Sequence, residues 1–460
     1  MDHNELRQEP VASSTVDQIL AFLQELLSPR TSEQQAVIGH PGPGRPSLLP
    51  GDQLWLALLL AMMRHLNGFA CVWRLITWEG VGSFPILNMT RDGIRKRLLH
   101  ANMQGLQELL TRVSAALLHW TSDFQESRLA PFATEVFALD QTTLDAVRRQ
   151  CQDVRGEEKG SPRLMVGKLL GFFDIRRQQW RRIFFRDDVF VNEKHLVEEL
   201  FGGIQKGTLI LVDLGFFSFA FFDWLGDLGC WWLSRVREKV TYEVVHVYVQ
   251  QENAFDALVW LGAYRSDQAK HLVRLIEFDH AGLRYRYLTN VLDPAQMSML
   301  EAAKWYARRW DIEMAFKALK MELGIGIWWS SYQILVIQQL WCAIILAQVL
   351  HALHLRVAAE AEVELFDVSF QVLAKLLAHA PARLTHESLI SLLVRKGKEQ
   401  GLIRPSRRYQ AIVPVLLQPS VPAPAHLLLT RNHRYAFRRR GEDRSDRDIF
   451  EPRFFSFFLL

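Results

Sequence analysis

The chain has 460 residues, 54 Lys and Arg against 50 Asp and Glu for a net charge of +4, and 49% hydrophobic residues. This length allows two or three domains around a large core, and the apolar share excludes a disordered chain. A balance so close to neutral provides little general attraction for nucleic acid, so any basic surface has to be local. The four cysteines, Cys71, Cys151, Cys230 and Cys342, form no CxxC pair. They fit a reducing cytosol and speak against a zinc site or a disulfide framework. The polar start Met1-Asp2-His3-Asn4-Glu5-Leu6 is unlike a signal peptide.

Residues 16–125 read as helical. Val16–Leu27, Gly51–Leu66 and Gln104–Leu118 carry apolar residues at helical spacing, and the Pro- and Gly-rich stretch His40–Pro50 is a loop between them. The apolar run Leu54–Met63 is too short for a membrane span and fits a buried helix. Arg91, Arg95, Lys96 and Arg97 form a basic cluster, which is either a solvated helix face or a phosphate contact.

From Ala133 the character changes. Glu135–Asp140 is a short apolar run closed by an aspartate and the polar Gln141-Thr142-Thr143, the pattern of a buried strand ending at a loop. Leu164–Asp174 and Gln179–Arg186 read as the next two strands, joined by a turn at Ile175–Gln178, and Glu193–Leu200 as a helix. Thr208–Asp213 is a second β-rich apolar run closed by an aspartate, followed by Leu214-Gly215-Phe216. Within residues 240–290, Val244–Val249 and Leu283–Leu288 have strand character.

The segment Trp305–Lys320 has no Gly or Pro and is rich in helix formers. At about 100° per residue, Trp305, Ile312, Phe316, Leu319 and Leu323 fall within an arc of roughly 60°. These form the stripe expected to face the core. Tyr306, Arg309, Glu313 and Lys320 share the adjacent arc of roughly 60°. Arg309 and Glu313 stand four apart, the spacing of an ordinary surface ion pair. Their place beside the buried stripe, rather than opposite it, favours a functional edge. After this helix, Ile334–Leu355 is long and apolar, but Gln338, Gln339, Gln348, His351 and His354 would be costly in lipid. A buried helix behind the Trp305–Lys320 helix is expected there. Helices about Phe370–Leu377 and Leu389–Arg395 follow. Then come a Pro-rich stretch from Pro414 to Pro424, the basic residues Arg431, Arg434, Arg438, Arg439 and Arg440, and a tail expected to be loosely ordered.

Tyr306, Arg309, Glu313 and Lys320, with two, three and six residues between them, resemble the signature of bacterial insertion-sequence DDE transposases, enzymes with an RNase H-like core. Trp310 and Ile312 match the flanks of that signature, and the resemblance extends over about 130–350. It implies an α/β fold. An RNase H-like catalytic core would carry a β-rich insertion between the second Asp and the Glu, flanked by helical N- and C-terminal regions. It implies that Asp140, Asp213 and Glu313 are the catalytic carboxylates and metal ligands. Asp140-Gln-Thr-Thr143 resembles the first Asp motif. Asp213-Leu-Gly-Phe216, with Arg235 further on, resembles the second. The family often has Arg directly after the second Asp, where this chain has Leu214.

The chemistry agrees with those residue types. Strand ends at one edge of an open sheet share a crevice. Carboxylates gathered there repel one another until a divalent cation relieves them, and Mg²⁺ prefers oxygen ligands. Two Mg²⁺ ions are implied, with Mn²⁺ able to substitute. Taken singly, each Asp is equally well a helix cap or turn residue. Tyr306, Arg309 and Lys320 are implied DNA contacts, with Arg309 and Lys320 at the rim of the docked helix. Trp310 and Arg235 are further candidates. Trp260 is a candidate for stacking a flipped base, though ordinary packing explains it better.

The expected organisation is a helical DNA-end-binding region (1–128), the first part of the core (129–237), the β-rich insertion (238–292), the second part of the core (293–356), and a helical C-terminal region with a basic tail (357–460). The expected activity is that of an insertion-sequence transposase. It would bind terminal inverted repeats, cleave DNA with Mg²⁺ and join the ends to target DNA, as a homodimer or higher oligomer, in the cytoplasm and without a membrane. The alternatives are a decayed or domesticated DNA-binding copy and a metal-dependent nuclease without strand transfer.

Overall fold

The apolar run before Asp140 forms an interior strand of a ten-stranded mixed sheet, as the computed structural model of the chain describes it. The described residues are 19, 22–26, 49–122, 129–144, 167–186, 201–263, 267–280, 282–330, 332–378, 389–406, 418, 420–435 and 455–458. The expected helix Glu193–Leu200 lies outside them. So do Cys151, Arg438, Arg439 and Arg440.

The core strands are β1 (Val136–Thr143), β2 (Lys168–Asp174), β3 (Gln179–Arg186), β4 (Leu209–Val212) and β5 (Trp231–Arg235). They lie in the order β3-β2-β1-β4-β5. β1 pairs antiparallel with β2 and parallel with β4, and β4 pairs parallel with β5. Side chains alternate between the faces of a strand. Val136 and Ala138 of β1, with Leu209 and Leu211 of β4, accordingly enter one core. Phe137 and Leu139, with Ile210 and Val212, enter the other. Strands covered on both faces need unbroken apolar runs, and that is why these two runs were conspicuous in the sequence.

β1 runs on to Thr143, so Asp140 lies inside the strand rather than at its end. The strand continues because β2 still pairs with it there, Asp140 opposite Gly171, whereas the β4 ladder stops at Leu139 opposite Val212. On the β4 side, therefore, Asp140 and Asp213 are the first residues beyond the last rung. By alternation both belong to the face of Ala138 and Leu211, on which the helix carrying Glu313 packs.

The stretch between β5 and Glu313 holds four strands, β6 (Tyr242–Gln251), β7 (Ala254–Leu261), β8 (Val273–His280) and β9 (Leu283–Thr289). They form an antiparallel meander that continues the core sheet, because β9 pairs with β5 (Leu233 opposite Thr289). The expected β-rich insertion thus extends an existing sheet. Between β7 and β8 it buries a bidentate ion pair, Arg274 to Asp256 at 2.8 and 2.6 Å. Residues 420–435, from the end of the Pro-rich stretch into the basic segment, run along this region. Val421 N–H donates to the Tyr248 carbonyl at 2.9 Å on the edge strand β6, and Leu272 N–H to the Leu429 carbonyl at 2.9 Å. An edge strand offers unpaired backbone groups, and this segment takes up part of that offer. At the other edge Phe455–Phe458 (β10) pairs antiparallel with β3.

The N-terminal helices are α1 (Gly51–Met63), α2 (Phe69–Arg74), α3 (Arg91–Leu99) and α4 (Gln104–Trp120), with residues 22–26 helical before them. α5 (Phe219–Asp227) covers one face of the sheet. α6 (Met299–Arg308) and α7 (Trp310–Met321) lie on the other face. Behind them runs α8 (Gln333–Glu360), 28 residues long, followed by α9 (Phe370–Ala378) and α10 (Leu389–Gly397).

By length and apolarity α8 could cross a bilayer, but its apolar window is 94% buried inside the protein. Several of its polar groups bond to neighbouring elements, which lowers the cost of burying them, while both ring nitrogens of His351 are buried without a hydrogen-bond partner among the described residues. Gln338 donates to the Leu98 carbonyl at 2.7 Å, and Gln348 donates to the Trp180 carbonyl at 3.0 Å and accepts from Trp180 N–H at 2.9 Å. His354 Nε2 pairs with the Val368 carbonyl at 2.7 Å.

The two buried histidines predict acid lability. Burial pushes His351 down to about 3, helped by His354 beside it, and burial lowers His354 to about 4. Both values lie below the unfolded value of about 6.5, so the stability they contribute is complete above pH 6.5 and lost as pH falls toward 4 and 3. Each should cost about 2 kcal/mol between pH 6.5 and 5. The urea midpoint of the wild type should fall over that range, and that of His351→Phe by less. Equal losses in both would remove His351 from the cause.

Candidate functional site: three carboxylates around Arg309

The segment Trp305–Lys320 is two helices rather than the expected one. Arg309 separates α6 from α7, and the bonds Arg309 N–H to the Tyr306 carbonyl (3.0 Å) and Ile312 N–H to the Arg309 carbonyl (3.4 Å) replace the four-residue ladder with a tighter three-residue turn. A neighbouring network fixes that turn. Arg308 Nε donates to Asp311 at 2.8 Å, Gln178 donates to the same carboxylate at 2.9 Å, and Arg308 reaches the Ile175 carbonyl at 3.2 Å. The network ties the helix junction to the β2–β3 turn. Sequence reasoning passed over Arg308 and Asp311, whose only signal was an oppositely charged i, i+3 pair next to the apolar stripe. That stripe, Trp305, Ile312, Phe316, Leu319 and Leu323, is buried as expected.

The three carboxylates converge on one guanidinium. Arg309 Nη2 donates to Glu313 Oε1 at 2.5 Å, and Nη1 lies 3.6 Å from Asp140 Oδ2 and 3.7 Å from Asp213 Oδ1. Because the two aspartates share one nitrogen, their nearest oxygens stand apart by no more than the sum of those distances. Both exceed hydrogen-bonding reach, so the buried Nη1 has no hydrogen-bond acceptor and serves as a central positive charge. Asp140 also accepts from Gln141 N–H at 2.7 Å. Asp213 accepts from Gly215 N–H at 3.1 Å, capping the short helix Leu214–Phe216, so its capping role and its place in the cluster coexist.

The electrostatics follow from this crowding. Burial raises the Asp140 carboxyl to about 6, against the Gln141 bond and Arg309, and the charges of Asp213 and Glu313 add to the rise. Arg309 is moved the other way by burial, but Tyr306, Glu313 and Asp213 outweigh that and hold its pKa above the ordinary value. The sign for Asp140 is unfavourable at neutral pH. A raised carboxyl favours folding at low pH and loses that contribution as pH rises from about 4 through about 6. A further cation would relieve the cost. The donor set, three carboxylates, suits the divalent cation expected from the sequence. As placed, however, no group of three His, Cys, Asp or Glu among the described residues could hold an ion, and the Arg309 guanidinium stands among these three.

The other site candidates divide into rim and interior. Arg309 is only 7% exposed, so it belongs to the interior and the expected rim position is corrected. Tyr306 is buried too, its hydroxyl directed to the Val212 carbonyl at 3.4 Å and its phenol pKa raised by burial. Its hydroxyl thus faces β4 rather than the outside. Lys320 is half-buried at the rim and donates to the Thr143 carbonyl at the end of β1 at 2.6 Å. Trp310 is 50% exposed, and the Arg309 guanidinium lies 5.8 Å from its ring. Arg235 is exposed at the end of β5. Trp260 is covered, with the Arg431 guanidinium 4.9 Å over its ring. One residue missed in the sequence is Arg237. It donates to the Leu214 carbonyl at 3.0 Å and so brings a positive charge to the position where the transposase family often has arginine. No local pattern announces it, since it reaches there from beyond β5.

No curated protein matches the chain. Among solved structures it is similar to the cryo-EM structure of a piggyBac transposase synaptic complex with hairpin DNA, at 9% identity and a TM-score of 0.41, over 86% of this chain and 84% of that one. At that score the likeness carries no weight for fold or function. Residues 131–350 match the family model described as Transposase DDE domain. The matched span contains Asp140, Asp213, Glu313 and Arg309, and it supports reading the chain as a DDE transposase.

Proposed function

We propose that this chain is an insertion-sequence transposase with an RNase H-like core, binding terminal inverted repeats and cleaving and joining DNA at Asp140, Asp213 and Glu313. The observation that carries the reading is the gathering of all three carboxylates around Arg309 on one face of a sheet ordered β3-β2-β1-β4-β5. The match of residues 131–350 to a transposase DDE domain supports it independently. So does the Tyr306, Arg309, Glu313, Lys320 spacing.

Asp140, Asp213 and Glu313 would hold Mg²⁺ (Mn²⁺ in its place), a pair of ions that activates the attacking oxygen and stabilises the leaving one when bound. The chain's own residues have separate tasks. Lys320, Arg235 and Arg237 neutralise the phosphate backbone at the rim, and Arg309 grips one phosphate with its fork. Trp310 offers an exposed ring to a base next to the cleaved bond. Tyr306 supports Arg309 from below, its ring 5.8 Å from the guanidinium. The exposed Arg91, Arg95 and Lys96 on α3 make residues 1–128 the favoured end-recognition region. Residues 357–460 are the favoured place for self-association, since both element ends must be held together. The proposed compartment is the cytoplasm.

The test is a Mg²⁺-dependent reaction on a labelled duplex carrying the element's terminal repeat, with target plasmid present. Nicked ends and joined product are expected. Cleavage without joining would leave a nuclease, and binding without cleavage a decayed copy. Lys320→Ala tests the rim. Its salt dependence of end binding should fall by about one unit of slope, with thermal stability near wild type. An unchanged slope would take Lys320 out of the interface.

A further inference from the structure

We infer that Arg309 is a positioning residue with two exclusive partners: off DNA its guanidinium holds Asp140, Asp213 and Glu313 together and keeps a divalent cation out, and a DNA phosphate draws it away and opens the site. The inference rests on the transposase reading above and adds an order of events to it.

Three observations carry it. The guanidinium stands where a shared cation would stand, with Nη1 3.6 Å from Asp140 Oδ2 and 3.7 Å from Asp213 Oδ1, and Nη2 2.5 Å from Glu313 Oε1. With it there, no described group of carboxylates can cage an ion. Nη1 is buried and without a hydrogen-bond acceptor, so this half of the fork is held by charge alone and is free to take a better acceptor. Phosphate is that acceptor, because a guanidinium binds it bidentately with short charge-assisted bonds. Arg309 cannot vacate the cluster by losing its proton, because arginine stays charged in proteins. It has to move, and the exposed Trp310 beside it marks the side from which DNA would arrive.

A single guanidinium against three carboxylates also leaves net negative charge, so the cluster remains attractive to a divalent ion once the fork has turned away. Metal and DNA end then favour each other, and by linkage each tightens the other by the same factor. Lys320 is not the plug, since its ammonium is engaged by the Thr143 carbonyl.

The experiment is Mn²⁺ binding to the full chain, read by the loss of the free-ion electron paramagnetic resonance signal, with and without a terminal-repeat duplex. Wild type should bind Mn²⁺ at least tenfold more tightly with the duplex than without it. Arg309→Gln should reach the tight value without DNA and gain little when DNA is added. Arg309→Lys, which keeps the charge, should stay weak off DNA. Lys317→Gln removes an equal charge from an exposed position on the same helix and should change Mn²⁺ affinity less than threefold, which separates a specific plug from general electrostatics. Circular dichroism establishes that each variant is folded, and the wild-type comparison alone decides the matter if Arg309→Gln is not. An Mn²⁺ affinity that DNA leaves unchanged in the wild type, or an Arg309→Gln affinity no tighter than wild type off DNA, overturns the inference. Failure of the transposase reading looks different: no Mn²⁺ bound under any condition, or binding that Asp140→Asn does not weaken, and either result removes the metal site itself.

Discussion

Glu313→Gln should reduce Mg²⁺-dependent nicking of a labelled element end by at least about a thousandfold while end binding in a gel shift stays within a few-fold of wild type. The substitution keeps the size and hydrogen-bonding reach of the side chain and removes one of the three charges around Arg309. Its structural cost is small, since Glu313 is partly exposed on the first turn of α7 and a glutamine oxygen still accepts from Arg309 Nη2. On the proposed reading, end binding would rest on cations elsewhere, among them Lys320 and Arg235. Catalysis depends on the full set of carboxylates, because an ion held by two ligands in place of three is neither retained nor oriented as well. Nicking at the wild-type rate would remove Glu313 from the active site, and with it the main support for the proposed function. Loss of both nicking and binding would point instead to a folding defect, which circular dichroism would reveal.

The largest expected effect on stability lies outside the site. Asp256→Ala should destabilise the protein by about 3–5 kcal/mol, the usual consequence of removing one partner of a buried ion pair. Arg274 and Asp256 are 0% and 1% exposed, and their two bonds of 2.8 and 2.6 Å are supplemented by Arg274 Nη1 donating to the Met297 carbonyl at 2.6 Å. Without Asp256 a guanidinium would remain buried between β7 and β8 with the Met297 carbonyl as its remaining acceptor among the described residues. Met297 adjoins Ser298, the N-cap of α6, so the damage should reach the helix that positions Tyr306 and Arg309. The measurement is chemical unfolding followed by tryptophan fluorescence. The double variant Asp256→Leu with Arg274→Met should recover much of the loss, since an apolar pair of similar volume leaves no uncompensated charge. A single variant within about 1 kcal/mol of wild type would show that water reaches the arginine.

What the sequence determined by itself was local and periodic. β1, β4, α1 and α8 were legible because a strand buried on both faces, or a helix buried all round, needs a mostly apolar run. The Tyr306, Arg309, Glu313, Lys320 spacing was legible because one helix edge repeats at about 3.6 residues. The resemblance that this spacing carries implied Asp140, Asp213 and Glu313 as the site and spanned about 130–350, close to the residues 131–350 that match the transposase DDE domain. What only the tertiary structure decided were relations between residues far apart in the chain. Arg309 reads as a rim cation on a helical wheel, yet it is buried because β1 and β4 bring two aspartates over it, from 169 and 96 positions away. Arg237 reaches the Leu214 carbonyl only because the chain beyond β5 returns to the loop after β4. Trp260, for which ordinary packing was the better reading, is covered by Arg431 from far along the chain, a partner that no local pattern names. The β-rich insertion reads as an interruption, and pairing between β5 and β9 makes it a continuation of the sheet. Periodicity records which side of an element is buried. It does not record what the element is buried against, and the charge environment of Arg309 is entirely of that second kind.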